Sequence, residues 1–397
     1  MIYRYILFLI IGVDVSILLL QTSELSISYR EASIFYEDPS FLQLLLKIST
    51  NLFGLNDFSL RLPMIMLHIS SLVLLYLISA KYLKYESDRL WMILFFVLSP
   101  GIISSALIIN SAGLIIFSLL LFIYLYEKIP NYYLYILLIF YSIIDSGFIY
   151  LFISLIFYSY YKRDKKAFIY ILIPIFISLS LYGFHSHGVP KSYFLDLLGL
   201  YSAIFTPMVF VYIFYVLYRV FLTKEINMVW FIASVPLLLS LLLSFRQKIE
   251  VEIFASYLIV ALPLAAKIFS SSYRVRLNIF RTKYRYFFIL TFSFLLLNSL
   301  VTIFNKDLYR YIDNPKKHFA YKMNVAKELA DILKTKGIDC IDSDYKTALR
   351  LKFYGIGHCD KFRLDKNILN SSAEDIVTVS YNGRVVYRAT VTKINNR

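Results

Sequence analysis

Eleven apolar stretches, each close to the length that crosses a bilayer, occupy the chain from Met1 to Phe304. A transmembrane helix needs roughly 20 apolar residues to span a hydrocarbon core of about 30 Å. The hydrophobic content of 59%, with 18% aromatic residues, also exceeds that of ordinary soluble domains. The sequence therefore predicts a mainly α, polytopic transmembrane helix bundle with spans at 5–22, 62–80, 90–108, 111–126, 131–146, 147–161, 167–184, 201–222, 227–244, 253–270 and 286–304.

The positions of lysine and arginine predict the orientation of these spans. With the N-terminus inside, the inner connections carry about seventeen basic residues, the excess typical of cytoplasmic loops. The outer connections carry only six, which are Arg30, Lys47, Arg61, Lys191, Arg246 and Lys248. We therefore expect a cytoplasmic N-terminus and, after an odd number of spans, an exported C-terminal tail. The net charge of +15 then reflects topology and contact of the basic runs 162–166 and 274–285 with anionic lipids, and no nucleic-acid partner is expected.

The polar segment after the last span predicts a small C-terminal α/β domain. We divide the chain into a membrane domain, 1–304, and an extracytoplasmic domain, 305–397. Apolar residues at helical spacing predict a helix over 316–336, which Gly337 would end. The pattern then predicts a strand at Ile338–Ile341, a helix at Tyr345–Phe353 and a hairpin of Ile376–Tyr381 with Arg384–Val391 across Asn382-Gly383.

Both cysteines, Cys340 and Cys359, lie in this tail. A disulfide between them fits an oxidising compartment, and burial as two free thiols is the alternative. His358 beside Cys359 supplies too few ligands for a tetrahedral zinc site, and the pair His185 and His187 lacks a third ligand nearby. No metal site and no certain cofactor are predicted, although a divalent metal is left open.

The connection between the first two spans, residues 23–61, is long for a compact bundle, and loops of this length are usually functional. Its apolar run from Phe41 to Ile48 predicts a helix lying in the membrane interface, with its start near Ser40. Gly54 should end that helix, and Asn56 or Asp57 should cap the next one.

Four carboxylates on or near the outer side are the candidate functional groups. Asp14 lies midway along the first span, where a lone carboxylate indicates either function or a structural role. In the structural role it would be protonated or hydrogen-bonded to a serine or tyrosine of a neighbouring helix. Glu31, Glu37 and Asp38 follow that span. A carboxylate at the membrane surface can act as a general base, while basic residues stabilise a phosphate leaving group.

The segment from Leu52 to Pro63, LFGLNDFSLRLP, resembles a stretch shared by membrane glycosyltransferases of the C-type superfamily. The similarity is to the protein-mannosyltransferase-like branch, which includes the aminoarabinose transferase that modifies lipid A. Further matching segments are Tyr29-Arg30-Glu31-Ala32, Glu37-Asp38-Pro39-Ser40, Leu98-Ser99-Pro100, Ser244-Phe245-Arg246-Gln247-Lys248, Tyr257-Leu258 and Ala261-Leu262-Pro263.

This resemblance implies transfer of a sugar from a polyprenyl-phosphate donor to a lipid or glycan acceptor on the outer face of a bacterial cytoplasmic (inner) membrane. The matching positions make Glu31 the first candidate for acid or base, with Glu37 and Asp38 as alternatives. Arg246 and Lys248 would hold the carrier phosphate, and Arg61 would either assist or form a salt bridge with Asp57.

The sequence departs from the family pattern at three places. Arg30 stands where the family has Asp, Asp38-Pro39-Ser40 replaces a basic residue followed by two prolines, and Asn110-Ser111 replaces a frequent Asp-Pro. An altered active site and a protein that binds a lipid carrier without transfer both fit these changes. A flippase or transporter of lipid-linked glycans and a polysaccharide polymerase are the other classes considered.

Overall fold

The computed structural model describes residues 2–183, 192–365 and 376–393. His185 and His187 lie outside these ranges. Within them the chain forms eighteen α-helices: α1 Ile2–Glu24, α2 Tyr29–Tyr36, α3 Phe41–Phe53, α4 Asp57–Ser79, α5 Glu86–Val97, α6 Pro100–Leu107, α7 Ser111–Tyr126, α8 Asn131–Ile144, α9 Ile149–Lys162, α10 Lys165–Tyr182, α11 Phe194–Phe205, α12 Pro207–Leu222, α13 Met228–Ser244, α14 Val251–Ile259, α15 Leu262–Val275, α16 Asn278–Ile303, α17 Ala326–Thr335 and α18 Tyr345–Phe353.

Each of the eleven predicted segments is helical, and three of them are bent. By length and composition alone, α1, α4, α10 and α16 could each cross a membrane. The pairs α5 with α6, α11 with α12 and α14 with α15 bend by 62°, 104° and 45°, and counting each pair as one span gives up to seven among the described residues. Shorter apolar helices complete the bundle.

The predicted start of the eighth span, at residue 201, is wrong. Residues 201–205 belong to α11, and the long helix α12 begins at Pro207. Thr206 between them has a φ of 69°, which a continuing α-helix does not allow. Proline is favoured at a helix start because its missing N–H would have no partner in the first turn anyway.

The chain packs into two compact units. One unit contains Met1–Val15 and Met64–Ser299, and the other contains Ser16–Pro63 and Leu300–Arg397. The second unit thus combines the first long connection with the C-terminal tail. The division at 304/305 stays a prediction, since it separates the chain by membrane environment and the units separate it by packing.

The predicted helix from Phe41 and the caps at its two ends are confirmed, whereas α2 was not predicted. The Ser40 hydroxyl accepts a hydrogen bond of 3.2 Å from Gln43 N–H and caps α3. That helix ends at Gly54, whose φ of 81° is readily adopted by a residue without a side chain. The Asn56 side chain then accepts a 2.8 Å hydrogen bond from Ser59 N–H, so it caps α4 as expected.

The tail folds around a three-stranded antiparallel sheet, and it confirms the predicted hairpin. The strands are β1 Phe362–Asp365, β2 Ile376–Tyr381 and β3 Arg384–Lys393, in the order β1-β3-β2. In the hairpin of β2 and β3, Val377 pairs with Ala389. On the other side of β3, Phe362 of β1 pairs with Lys393. Cys340 and Cys359 form a disulfide. The buried core includes Leu329, Leu333, Ile341, Leu351, Val377 and Ala389.

Two predictions for the tail are wrong in extent. The helix predicted over 316–336 forms only from Ala326, because the Tyr381 hydroxyl donates a 2.6 Å hydrogen bond to the Asn324 carbonyl and the buried Asn324 side chain donates to Asn305. Two short 3-10 helices precede it. Ile338–Ile341 is not a strand: it forms one isolated bridge, between Cys340 and Gly357. The next bridge joins Asp342 to Arg363, so the pairing partner changes from one segment to another and no continuous ladder forms.

Candidate active site

Glu31 forms a capping box at the start of α2. Its Oε2 atom accepts a hydrogen bond of 2.7 Å from Ser28 N–H, and the Ser28 hydroxyl accepts one of 3.3 Å from Glu31 N–H. These bonds satisfy two backbone donors that the first turn of a helix leaves without partners. Glu31 is 0% exposed. Its carboxylate therefore fixes the start of α2 beneath the surface.

Arg61, also 0% exposed, lies beside this carboxylate. Its Nη2 atom is 4.0 Å from Glu31 Oε2 and donates a hydrogen bond of 3.1 Å to the Ser26 carbonyl. Its Nη1 atom is 3.4 Å from Asp57 Oδ1, one helical turn earlier on α4. A buried guanidinium is tolerated only when it is paired and hydrogen-bonded. The predicted salt bridge to Asp57 is confirmed, and Glu31 is a second partner.

Asp57 connects this group to the tail. Lys327 Nζ on α17 lies 3.2 Å from Asp57 Oδ2, and the Tyr354 hydroxyl donates a 2.8 Å hydrogen bond to Asp57 Oδ1. The same hydroxyl accepts a 2.9 Å hydrogen bond from Ile27 N–H. Burial, together with the negative charge of Asp57, raises the pKa of Tyr354, so this tyrosine stays a donor at neutral pH. We call Glu31, Asp57, Arg61, Lys327 and Tyr354 the Arg61 cluster.

Glu37 and Asp38, at the end of α2, are exposed. Glu37 Oε2 accepts a hydrogen bond of 2.9 Å from the Ser33 hydroxyl. The Asp38 backbone carbonyl accepts a 2.8 Å hydrogen bond from Ser40 N–H. Its side chain makes no hydrogen bond or ion pair with any residue that the structure describes. Of the three predicted carboxylates, Asp38 is thus the one that is exposed and has no side-chain hydrogen bond or ion pair to a described residue.

Arg246 and Lys248 lie on the turn between α13 and α14, and both are exposed. Across the described ranges, neither cation has a carboxylate within 4.0 Å. The turn is anchored where Phe194 stacks on Phe245 at 4.9 Å, and Tyr193 N–H donates a 2.8 Å hydrogen bond to the Ser244 carbonyl. Two cations on an anchored turn suit a phosphate ligand.

A network of polar side chains, which the sequence did not predict, links the start of α7, the segment after α8 and the helix α14. All three lie in the unit that contains Arg246. Asn110 Nδ2 donates a hydrogen bond of 3.3 Å to Glu252 Oε2, and the Ser111 hydroxyl donates one of 2.5 Å to Asp145 Oδ2. Gly147 N–H donates to Asp145 Oδ1 at 2.7 Å, and the buried Tyr257 hydroxyl donates to the Gly147 carbonyl at 2.7 Å. Asn110 and Ser111 were noted only as a departure from the family pattern, and their partners are distant in sequence.

A shared fold with two solved structures accompanies this arrangement. No protein-family model matches the sequence, and no curated protein does. The crystal structure of ArnT from Cupriavidus metallidurans in the apo state matches with a TM-score of 0.54, and that of the same protein bound to undecaprenyl phosphate matches with 0.56. In both cases the identity is 10% and the match covers 98% of each chain. The chain therefore shares its fold with these two structures along nearly its whole length.

The shared fold confirms the predicted architecture, a polytopic helix bundle with a small C-terminal sheet. In this chain the predicted site residues fall into two groups. Glu31, Glu37, Asp38 and Arg61 belong to the unit of the first connection and tail, and Arg246 and Lys248 belong to the other unit. The structure brings Glu31 and Arg61 together directly.

A second buried pair lies within the apolar helices of the bundle. Asp14 Oδ2 on α1 is 2.7 Å from His68 Nε2 on α4, and the two residues are 7% and 5% exposed. The His68 ring stacks on Phe96 at 5.6 Å. The sequence indicated Asp14 but not its histidine partner. Asp14 thus bonds to a neighbouring helix, with a histidine as its partner in place of the predicted serine or tyrosine.

Proposed function

We propose that this protein is a membrane glycosyltransferase that moves a sugar from a polyprenyl-phosphate carrier to a lipid or glycan acceptor. The observation that carries the proposal is the fold shared along nearly the whole chain with a transferase crystallised with undecaprenyl phosphate. The distribution of basic residues supports a reaction on the extracytoplasmic face of a bacterial inner membrane, with the N-terminus in the cytoplasm.

In the proposed reaction, the acceptor hydroxyl attacks the anomeric carbon of the sugar while the bond from that carbon to the carrier phosphate oxygen breaks. The acceptor proton passes to a carboxylate of the first connection. Negative charge grows on the departing polyprenyl phosphate, and the cations Arg246 and Lys248 would stabilise it. Attack opposite the leaving phosphate inverts the configuration at the anomeric carbon.

Asp38 is the carboxylate that best suits the role of general base. A base must come within hydrogen-bond distance of the proton that it removes, and Asp38 is exposed at the surface. Glu37 is exposed too, but its carboxylate already holds the Ser33 hydroxyl. Glu31 would have to leave its cap and Arg61 before it met an acceptor. We assign Glu31 and Arg61 to positioning the connection that carries Asp38.

Reconstitution separates this function from its rivals. Full-length protein in proteoliposomes would receive a polyprenyl-phosphate sugar labelled in the sugar, together with extracted membrane lipids and glycans as acceptors. A transferase releases unlabelled polyprenyl phosphate and labels an acceptor. Movement of intact labelled lipid between leaflets without any labelled acceptor would instead identify a flippase, and growth of a repeating glycan would identify a polymerase.

A further inference from the structure

A cleft of about 490 Å³ lies between α5, α12, α15 and α16, and none of the predicted site residues lines it. Its volume falls within the roughly 300–1,000 Å³ of small-molecule sites. Aromatic side chains form its walls: Trp91 and Phe95 on α5, Tyr212 on α12, Phe269 on α15 and Phe288 on α16. Trp91 is 44% exposed, so the wall is open on one side. An apolar chain would fit against these rings.

One end of the cleft is polar and carries arginines. Arg274 Nη2 forms a salt bridge of 2.7 Å with Asp88, which balances its charge. The Arg285 guanidinium is held by the Tyr273 hydroxyl at 3.1 Å and 3.3 Å. No carboxylate within the described ranges lies within 4.0 Å of Arg285. The end of the cleft therefore carries one positive charge that no acidic side chain in those ranges neutralises.

The surrounding segment holds this end in place and increases its positive charge. The Arg276 guanidinium lies over the Tyr284 ring at 4.1 Å and donates a 2.5 Å hydrogen bond to the Tyr284 hydroxyl. Arg281 donates hydrogen bonds to the Arg274 and Arg276 carbonyls at 2.9 Å and 2.8 Å. A cleft with an apolar interior and a basic end matches an amphiphile with an anionic head.

We propose that this cleft binds one anionic glycerophospholipid, with an acyl chain along the aromatic walls and the phosphate against Arg285. Basic pockets between membrane helices on the cytoplasmic side recognise such head groups. The charge distribution of the chain favours a cytoplasmic location for this end of the helices, opposite the face of the proposed transfer reaction. A phospholipid of the inner leaflet is therefore favoured over the polyprenyl-phosphate donor. The site does not depend on transferase activity.

Trp91 gives a direct measurement, because the chain has only 2 tryptophans. Replacing the other, Trp230→Phe, leaves Trp91 as the single fluorescent reporter in the cleft wall. Full-length protein in phosphatidylcholine nanodiscs would receive small mole fractions of phosphatidylglycerol or phosphatidylcholine with brominated acyl chains, which quench tryptophan on contact. We expect brominated phosphatidylglycerol to reach half-maximal quenching at about fivefold lower mole fraction, as roughly 1 kcal/mol per basic residue implies.

Two matched pairs of variants locate the effect. Both measurements use about 0.5 M salt, where surface charges are screened. Arg285→Gln should abolish the preference for phosphatidylglycerol. Lys283→Gln removes a nearby charge outside the cleft lining and should keep that preference. Ala266→Leu should reduce quenching by filling the cleft, whereas Ser271→Leu on the same helix adds the side chain outside it.

Three outcomes would overturn the proposal. Equal quenching by the two brominated lipids would mean ordinary annular contact. Loss of the preference in both Arg285→Gln and Lys283→Gln would mean diffuse surface attraction. The third outcome is a competition result. If undecaprenyl phosphate displaces brominated phosphatidylglycerol at a lower mole fraction than unbrominated phosphatidylglycerol does, the cleft is a carrier site instead.

Discussion

The Tyr354 hydroxyl donates a hydrogen bond of 2.8 Å to the Asp57 carboxylate, across a sequence separation of 297 residues. Asp57 also pairs with Arg61, which in turn lies beside Glu31. The tail thus contacts the same charged group that the first long connection uses to hold α2 and α4. The geometry of the predicted catalytic connection depends on a side chain near the other end of the chain.

Tyr354→Phe should destabilise this unit. The change leaves Ile27 N–H without its acceptor and removes a donor from Asp57, and an unsatisfied buried polar group costs about 1–3 kcal/mol. Hydrogen exchange of peptides from α2 and α18 in the full-length protein would measure the loss. Tyr345→Phe is the matched control, since Tyr345 is 61% exposed. Equal exchange in the two variants would contradict a supporting role for Tyr354.

The Asp14–His68 pair predicts a double-mutant result. Asp14→Leu or His68→Leu alone leaves one buried polar partner unsatisfied, which costs about 3–5 kcal/mol. The double variant replaces both partners with apolar side chains and should recover most of that loss. Thermal unfolding of the protein in detergent measures all four forms. Additive losses in the double variant would show that the two residues act independently.

Asp38→Asn should reduce sugar transfer by about 10²–10⁴-fold, the usual contribution of a general base, without lowering protein level. Glu37→Gln should change the rate little. Glu31→Gln should loosen α2, so it should lower activity together with protection of that helix from hydrogen exchange. A different result would assign the general base to Glu31. In that case Asp38→Asn would keep full activity, and Glu31→Gln would lose activity while α2 kept its normal protection from hydrogen exchange.

Arg246→Gln and Lys248→Gln should weaken use of the lipid-linked donor. A hydrogen bond to a charged group contributes about 1.5–3 kcal/mol, so each change should raise the KM for donor by about 10-fold or more. Lys47→Gln removes an exposed cation from α3 and serves as the control. Initial rates at varied donor concentration distinguish the variants. An unchanged KM in the Arg246 and Lys248 variants would remove that turn from carrier recognition.

The tail should lose stability in mild acid because of His318. Burial lowers the pKa of this imidazole below its usual 6.5, and a smaller effect of the Asn305 backbone opposes the change. Below about pH 6.5 the unfolded chain binds a proton that the folded chain does not, so stability falls with pH by at most about 1.4 kcal/mol per unit. The fall ends once the pH is below the folded pKa.

Hydrogen exchange of α17 peptides between pH 7.5 and 5.5, corrected for the intrinsic pH dependence of exchange, measures this loss. In His318→Gln the acceptor for Ala320 N–H can be kept while the titration is removed, so its profile should be flatter. Identical profiles in the two proteins would assign the acid sensitivity to other groups.

The membrane helices could be predicted from the sequence because their signal is local. An apolar run long enough for a bilayer must satisfy its own backbone hydrogen bonds, which makes it helical wherever it packs. The bend at Thr206 and Pro207 was missed because continuous hydropathy hides a backbone change. In the tail, residues from Phe319 to Val325 have helical spacing, yet they lie outside α17. Asn324 there forms hydrogen bonds with Tyr381 and Asn305, which are distant in sequence.

The candidate site shows the same limit. The first-connection carboxylates and the two cations could be named as candidates from residue type, position and the family resemblance, and their roles stay predictions. Glu31 is buried because its carboxylate accepts a hydrogen bond from Ser28 N–H and lies beside Arg61. The sequence alone does not show that these two interactions occur together. His68 was missed because a histidine in an apolar helix gives no signal until its partner on α1 is known.

The division of one compact unit between Ser16–Pro63 and Leu300–Arg397 has a consequence for biosynthesis. A ribosome makes the residues around Glu31 and Arg61 early, but Lys327 and Tyr354 emerge only after all the helices from α5 to α16 have been translated. A nascent or prematurely terminated chain therefore carries Asp57 without Lys327 and Tyr354, the two partners that the tail supplies. A truncation within the tail thus removes two partners of a segment that is synthesised near the start of the chain.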